Sequence, residues 1–162
     1  MFNIAATRFN LREHSLEIYV SGCNGDNGIH CPCCHNPELW DSNVGIPWKD
    51  KQSEIITTLE SAGPLISSVR IYGGELMEKP HSEVLNFLSF LKGINENLEL
   101  WLFTRFDFEA VSDDIKFYLD YVKCGKYDIS CLVPVEYYGV TLASSNQKIF
   151  KKGVDWNVLC IH

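Results

Sequence analysis

The chain has 162 residues, a length that fits one domain around a single core. Apolar residues make up 46%, charged residues 22% and aromatics 12%, which excludes a disordered or fibrous chain. A formal net charge of −7 and a pI near 5.2 argue against non-specific nucleic-acid binding, because phosphates attract basic surfaces.

The N-terminal segment carries charges throughout and lacks the basic start, apolar stretch and cleavage site of a signal peptide. No apolar run approaches the roughly 18 residues of a membrane span. The protein is therefore expected to be cytoplasmic. Leu16 to Val20 is rich in apolar and aromatic residues and predicts a first strand. Residues 23 to 48 form a loop dense in Gly, Asn, Asp, Pro and Cys. Ile55, Ile56 and Leu59 predict a helix over 50 to 61, with Asp50 or Ser53 as N-cap. Val69 to Tyr72 predicts a short strand running into Gly73-Gly74. Ser82 to Leu91 predicts a helix capped by Ser82 and ending near Gly93. Then follow a strand at 98 to 104, a helix at 107 to 119 and a strand at 121 to 124. Val140 to Leu142 and Val158 to Ile161 are strand candidates near a sheet edge.

Alternating strands and helices predict an α/β fold: a mostly parallel sheet with outer helices, in a single domain over residues 1–162. Ligands of such sheets collect at the carboxyl ends of the strands. Each motif below falls just after a predicted strand.

Four of the seven cysteines lie between positions 23 and 34, in the segment Ser21-Gly22-Cys23 to Cys31-Pro32-Cys33-Cys34-His35-Asn36. In a reducing compartment such a group binds metal or reacts more often than it forms disulfides. Thiolates suit an iron–sulfur cluster or zinc. A closed four-cysteine site is usually structural or electron-carrying, whereas three ligands on a four-iron cluster leave one iron free for substrate. Cys33 and Cys34 are adjacent, so their side chains diverge, which favours three ligands and a spare cysteine. His30 and His35 are zinc-ligand candidates, with solvent-facing or hydrogen-bonding roles preferred. Cys124, Cys131 and Cys160 are expected to be small buried residues.

Gly73-Gly74-Glu75 permits a sharp turn and a close approach to a ligand, or simply ends a strand. Thr104 and Arg105 end the next strand, within reach of a hydroxyl and a carboxylate of a ligand. Ser144-Ser145-Asn146-Gln147 places four polar side chains in a row after a strand.

Taken together these motifs resemble the radical S-adenosylmethionine activating enzymes of anaerobic ribonucleotide reductase. The resemblance rests on Ser21-Gly22-Cys23, on Cys31-Pro32-Cys33-Cys34-His35-Asn36 ending in Trp40, on Gly73-Gly74-Glu75, and on Ser144-Ser145-Asn146-Gln147. It departs from the family in the seven residues between Cys23 and Cys31, where three are usual, in Cys33, and in Cys124 in place of an acid. The resemblance implies a partial (β/α) barrel open to a protein partner. It implies a [4Fe-4S] cluster on Cys23, Cys31 and Cys34. S-adenosylmethionine would bind through Gly73, Gly74 and Glu75 at its amino group, with Thr104, Ser144 and Asn146 as further contacts. The implied activity is reductive cleavage of S-adenosylmethionine to a 5′-deoxyadenosyl radical, which creates a glycyl radical on the reductase large subunit. A one-electron donor such as flavodoxin or ferredoxin would supply the electron. Two other readings are a radical enzyme of a small molecule, similar to carboxy-deazaguanine synthase, and a non-catalytic zinc-stabilised binding module.

Overall fold

The computed structural model describes residues 1–157. The strands are β1 (Asn3–Asn10), β2 (Ser15–Val20), β3 (Ile46–Pro47), β4 (Ser68–Gly73), β5 (Glu99–Phe103), β6 (Tyr121–Cys124), β7 (Val135–Tyr137), β8 (Val140–Leu142) and β9 (Lys148–Lys151). The α-helices are α1 (Gln52–Ala62), α2 (His81–Ile94) and α3 (Asp113–Tyr118). Seven strands form one sheet in the order β3-β1-β2-β4-β5-β6-β9, and β7 and β8 form a separate hairpin. The central strands β2, β4, β5 and β6 are mutually parallel. Both flanks are antiparallel, β1 with β2 and β3 on one side and β9 with β6 on the other.

The α/β expectation with a largely parallel sheet holds at the centre. The partial barrel is not shown: among the described residues the sheet is mixed and runs in order from β3 to β9.

Alternation along the central strands sorts the side chains into two faces. Leu16, Ile18, Val20, Val69, Ile71, Leu100, Leu102, Val122 and Cys124 pack into one buried core with the helices. Helix α2 contributes Val84, Phe87, Leu88 and Leu91, the spacing of one helical stripe. Phe87 meets Phe2 and Trp48 edge-on, with ring centroids 5.3 and 5.4 Å away. The other face carries Glu17, Tyr19, Arg70, Tyr72, Trp101, Phe103, Tyr121 and Lys123. Part of it is covered by the β7–β8 hairpin, whose Leu142 joins Trp101, Tyr121 and Ile149 in a second cluster.

Several expectations need correction. β1 was not anticipated, because NIAATRFN buries only Ile4 and shows no clean alternation. The helix expected over 107 to 119 is a single 3-10 turn at Phe108–Ala110 followed by α3, with Ser112 extended between them. None of the expected caps, Asp50 or Ser53 for α1 and Ser82 for α2, operates: α1 is preceded by Lys51 and α2 by Pro80, with no side-chain cap bond at either. Cys124 is buried as expected, but Cys131 is only partly so. Cys160 and the strand expected at Val158 to Ile161 lie outside the described residues. Among the described residues no helix is long and apolar enough to cross a membrane.

Replacing Phe87 by Ala should cost about 3–5 kcal/mol, the range for removing a large buried aromatic. Urea denaturation measures it, and a loss under about 1 kcal/mol would contradict this packing of α2.

Candidate functional site

Four parallel strands ending on the same edge bring four turns together: Ser21–Cys23 after β2, Gly74–Glu75 after β4, Thr104–Arg105 after β5, and Gly125–Lys126 after β6. The first two are in direct backbone contact. Gly74 N–H donates to Val20 O at 2.7 Å and Glu75 N–H donates to Gly22 O at 2.9 Å. Lys79 Nζ donates to the same Gly22 carbonyl at 2.6 Å. A Cβ on Gly74 would lie 2.5 Å from Gly22 O, and one on Gly73, where φ is +105°, would lie 2.4 Å from Val20 O. The glycine pair is thus required first by backbone against backbone.

Glu75 is 1% exposed. Its Oε1 accepts from Thr104 Oγ1 at 2.8 Å and Met77 N–H at 3.0 Å, and its Oε2 accepts from Arg105 N–H at 2.9 Å. Burial pushes the carboxyl up, opposed by these donors and by the Arg105 charge. Of the roughly four lone-pair positions of a carboxylate, three are filled by the protein. Glu75 therefore ties the end of β4 to the end of β5.

The cysteine loop is folded back on itself. Gly22 N–H donates to Leu39 O at 2.8 Å and Cys23 N–H to Trp40 O at 3.2 Å. His30 stacks on Trp40 with centroids 3.9 Å apart, and its Nε2 lies 2.8 Å from Cys23 O. This is the hydrogen-bonding role preferred for His30. Asp26 and Ile29 exchange backbone hydrogen bonds around Asn27 and Gly28, both at positive φ. Asp26 then reaches Lys126 Nζ at 2.9 Å and Arg105 Nη1 at 3.9 Å, and Arg105 Nη2 pairs with Glu78 at 2.7 Å. The long segment between Cys23 and Cys31 is strapped to the ends of β5 and β6.

These turns enclose an open cleft of about 300 Å³. Cys23, Cys31, Cys33 and Cys34 all line it, with Gly73, Gly74, Glu75, Thr104 and Arg105. Cys33 is the exposed member, with its backbone in the left-handed region at φ +56°. Burial pushes the Cys23 thiol up. Among the described residues no three His, Cys, Asp or Glu side chains are placed to hold one metal ion. A cluster makes a different demand, since its iron corners take separate thiolates. The donor set here, soft thiols facing one cleft, fits it.

The remaining expected contacts are distributed unevenly. Thr104 is 3% exposed, and its hydroxyl is committed to Glu75. Ser144 is fully buried with Oγ unpartnered, and Asn146 Nδ2 donates to Lys126 O at 2.9 Å. Neither lines the cleft, whereas their neighbours Ala143 and Gln147 do. Lys123 was missed. It lines the cleft, and its Nζ donates to Gly125 O at 2.7 Å. The signal was present as a lone cation in the apolar strand Tyr-Val-Lys-Cys.

Gly74→Ala should destabilise the fold by about 1–3 kcal/mol, as other overpacked sites do. Gly93→Ala in α2, with nothing near its Cβ, should be neutral or stabilising. Equal effects in chemical denaturation would contradict the contact between the two turns. Burial also pushes Lys123 down to about 8. The folded chain binds this proton less tightly than the unfolded chain, where lysine titrates near 10.4, so Lys123 makes stability rise with pH between those values. The stability of the metal-free native protein minus that of Lys123→Met should climb from about pH 8 to about pH 10. A flat difference would contradict the partly buried placement.

The sequence is similar to a reductase-activating protein and to a family of cluster-binding domains. It is 25% identical over 115 residues to the anaerobic ribonucleoside-triphosphate reductase-activating protein of Enterobacteria phage T4, covering 68% of this chain and 69% of that protein. The profile of the family described as the 4Fe-4S single cluster domain matches residues 12–150, from the turn before β2 to β9, and so takes in the cysteine loop and all four strand-end turns. The chain belongs to this family of 4Fe-4S single cluster domains.

Proposed function

We propose that this chain is a radical S-adenosylmethionine enzyme that activates an anaerobic ribonucleotide reductase by generating a glycyl radical on it. One observation carries the reading: the cysteine loop and the Gly73-Gly74-Glu75 turn meet in one cleft at the carboxyl ends of parallel strands. The likeness to a reductase-activating protein supports the choice of partner.

In this reading the Cys23, Cys31 and Cys34 thiolates hold the cluster, and Cys33, at the exposed rim, is spare. Bound there and reduced, a cluster would supply the electron for cleavage of S-adenosylmethionine to methionine and a 5′-deoxyadenosyl radical. The protein's part is ligation, orientation and exclusion of water. The backbone at Gly73 and Gly74 and the remaining acceptor capacity of Glu75 receive the ammonium group of the ligand. Thr104 acts one step back, by fixing Glu75 through its hydroxyl. Tyr72 and Phe103, 4.2 Å apart and both lining the cleft, offer flat apolar surface to the adenosine. Ser144 and Asn146 contribute by setting the loop that places Ala143 and Gln147 in the cleft. The electron comes from a low-potential donor of the flavodoxin or ferredoxin class.

The test is anaerobic reconstitution with iron and sulfide, reduction, addition of S-adenosylmethionine and the reductase, and measurement of 5′-deoxyadenosine. Native protein and Cys33→Ala should form it at comparable rates. Cys23→Ala, Cys31→Ala and Cys34→Ala should fall to background. Cluster loss in Cys33→Ala would overturn the ligand set. Native protein that carries a reduced cluster and forms no product with the reductase present would overturn the reading.

A further inference from the structure

Most charges around the cleft are answered by the protein itself. Arg105 pairs with Glu78 and Asp26, and Lys126 pairs with Asp26. Lys79 likewise has no ion pair among the described residues and donates to the Gly22 carbonyl; burial lowers its hold on the proton, opposed by Glu78, Cys23 and Glu75, but it does not line the cleft. Lys123 does line it. Among the described residues its ammonium forms no ion pair, and its protein partner is the Gly125 carbonyl, shared with Gln147 Nε2 at 3.2 Å. An ammonium has three donors, so two are left over beside a cleft lined with thiols.

Lys123 cannot swing away easily. Its Cα lies in β6, in register with Phe103 of β5, and its side chain leaves the sheet on the face of Tyr121, Phe103 and Tyr72. A lysine in this strand position is costly unless an anion compensates it. The Cys31 thiol is among the groups whose negative charge would favour the Lys123 cation.

We propose that Lys123 is the fixed counter-cation of the cluster, holding its reduction potential up so that a biological donor can fill it. This inference rests on the placement of the cluster given above. Reduction adds one electron and no proton to an already anionic thiolate-ligated group. A cation held beside the cleft stabilises the reduced, more negative state more than the oxidised one. Lys123 acts through the field alone and is a positioning charge for the electron.

The experiment is a redox titration of the reconstituted holoprotein, followed by the electron paramagnetic resonance of the reduced cluster. It compares native protein with Lys123→Met, Lys123→Arg and Lys92→Met. Lys92 is a control on the helix side, paired with Asp120 at 2.8 Å. In Lys123→Met the ratio of reduced to oxidised cluster at a fixed applied potential should fall by roughly tenfold or more, since one unit charge at an effective dielectric of about 20 produces a tenfold change from as far as about 12 Å. Lys123→Arg should restore the native ratio, and Lys92→Met should match it. Iron and sulfide content, measured in every variant, separates this from failure of the site. Native protein that takes up no cluster refutes the underlying reading, whereas equal ratios in cluster-loaded native and Lys123→Met overturn the proposal alone. An unchanged ratio with weakened binding of S-adenosylmethionine would assign the cation to the ligand's carboxylate and would also overturn it.

Discussion

The site depends on one close approach, that of Gly22 to Gly74. Two parallel strands lie side by side, and the turns leaving them must cross without side chains between them. A Cβ at Gly74 would sit 2.5 Å from the Gly22 carbonyl oxygen. That carbonyl is then held by two donors, Glu75 N–H and Lys79 Nζ. Cys23 is the next residue, so its position follows from the clamp. Glu75 is the residue after Gly74, so the same contact sets the carboxylate that fixes Thr104 and Arg105. Three of the four strand-end turns are thereby locked to one another through backbone groups and one buried acid.

The sheet divides the remaining labour by its two faces. Aliphatic residues from β2, β4, β5 and β6 pack under the helices and supply the apolar burial that stabilises the domain. The opposite face is aromatic and charged, with Tyr19 on Tyr72 and Trp101 on Tyr121, their ring centroids 5.5 and 3.7 Å apart. A closed barrel would hide that face. Among the described residues the sheet runs from β3 to β9 without closing, and the short β7–β8 hairpin covers the end near Trp101 and Tyr121. The cleft lies at the uncovered end, so rigid strands position the reactive groups while the surface in front of them stays accessible. The segment between Cys23 and Cys31 is irregular, and Asp26 ties it down to Lys126 and Arg105.

Much of this was legible in the sequence where pattern and chemistry coincide. Leu16-Glu17-Ile18-Tyr19-Val20 reads as a strand because it alternates and because it is one. Phe87 and its stripe announce α2. The cysteine spacing and the double glycine mark the two turns that meet. What stayed hidden has physical reasons. β1 is a flanking strand that buries little, so it carries no period. The cap of α2 looked like Ser82, but the chain enters the helix through Pro80, and the first-turn Glu83 goes to the Trp48 indole at 2.8 Å instead. The glycine pair looked like a ligand cradle, and no local signal says that another glycine turn presses on it. Thr104 looked like a ligand contact, yet its hydroxyl is taken by an acid 29 residues earlier in the chain. Ser144 and Asn146 stood out in the motif, while the residues on either side of them reach the cleft. Such partnerships join distant turns, and a linear pattern does not contain them.

The central claim is that three thiolates hold the cluster and leave one iron open. The most direct measurement is the electron paramagnetic resonance spectrum of the reduced, reconstituted protein before and after S-adenosylmethionine is added. The account predicts a clear change in the cluster signal on addition, because the ligand binds the open iron, and the same change in Cys33→Ala. A signal that S-adenosylmethionine leaves unaltered in native protein, at a concentration that saturates binding, would mean a fully ligated cluster and would contradict the account.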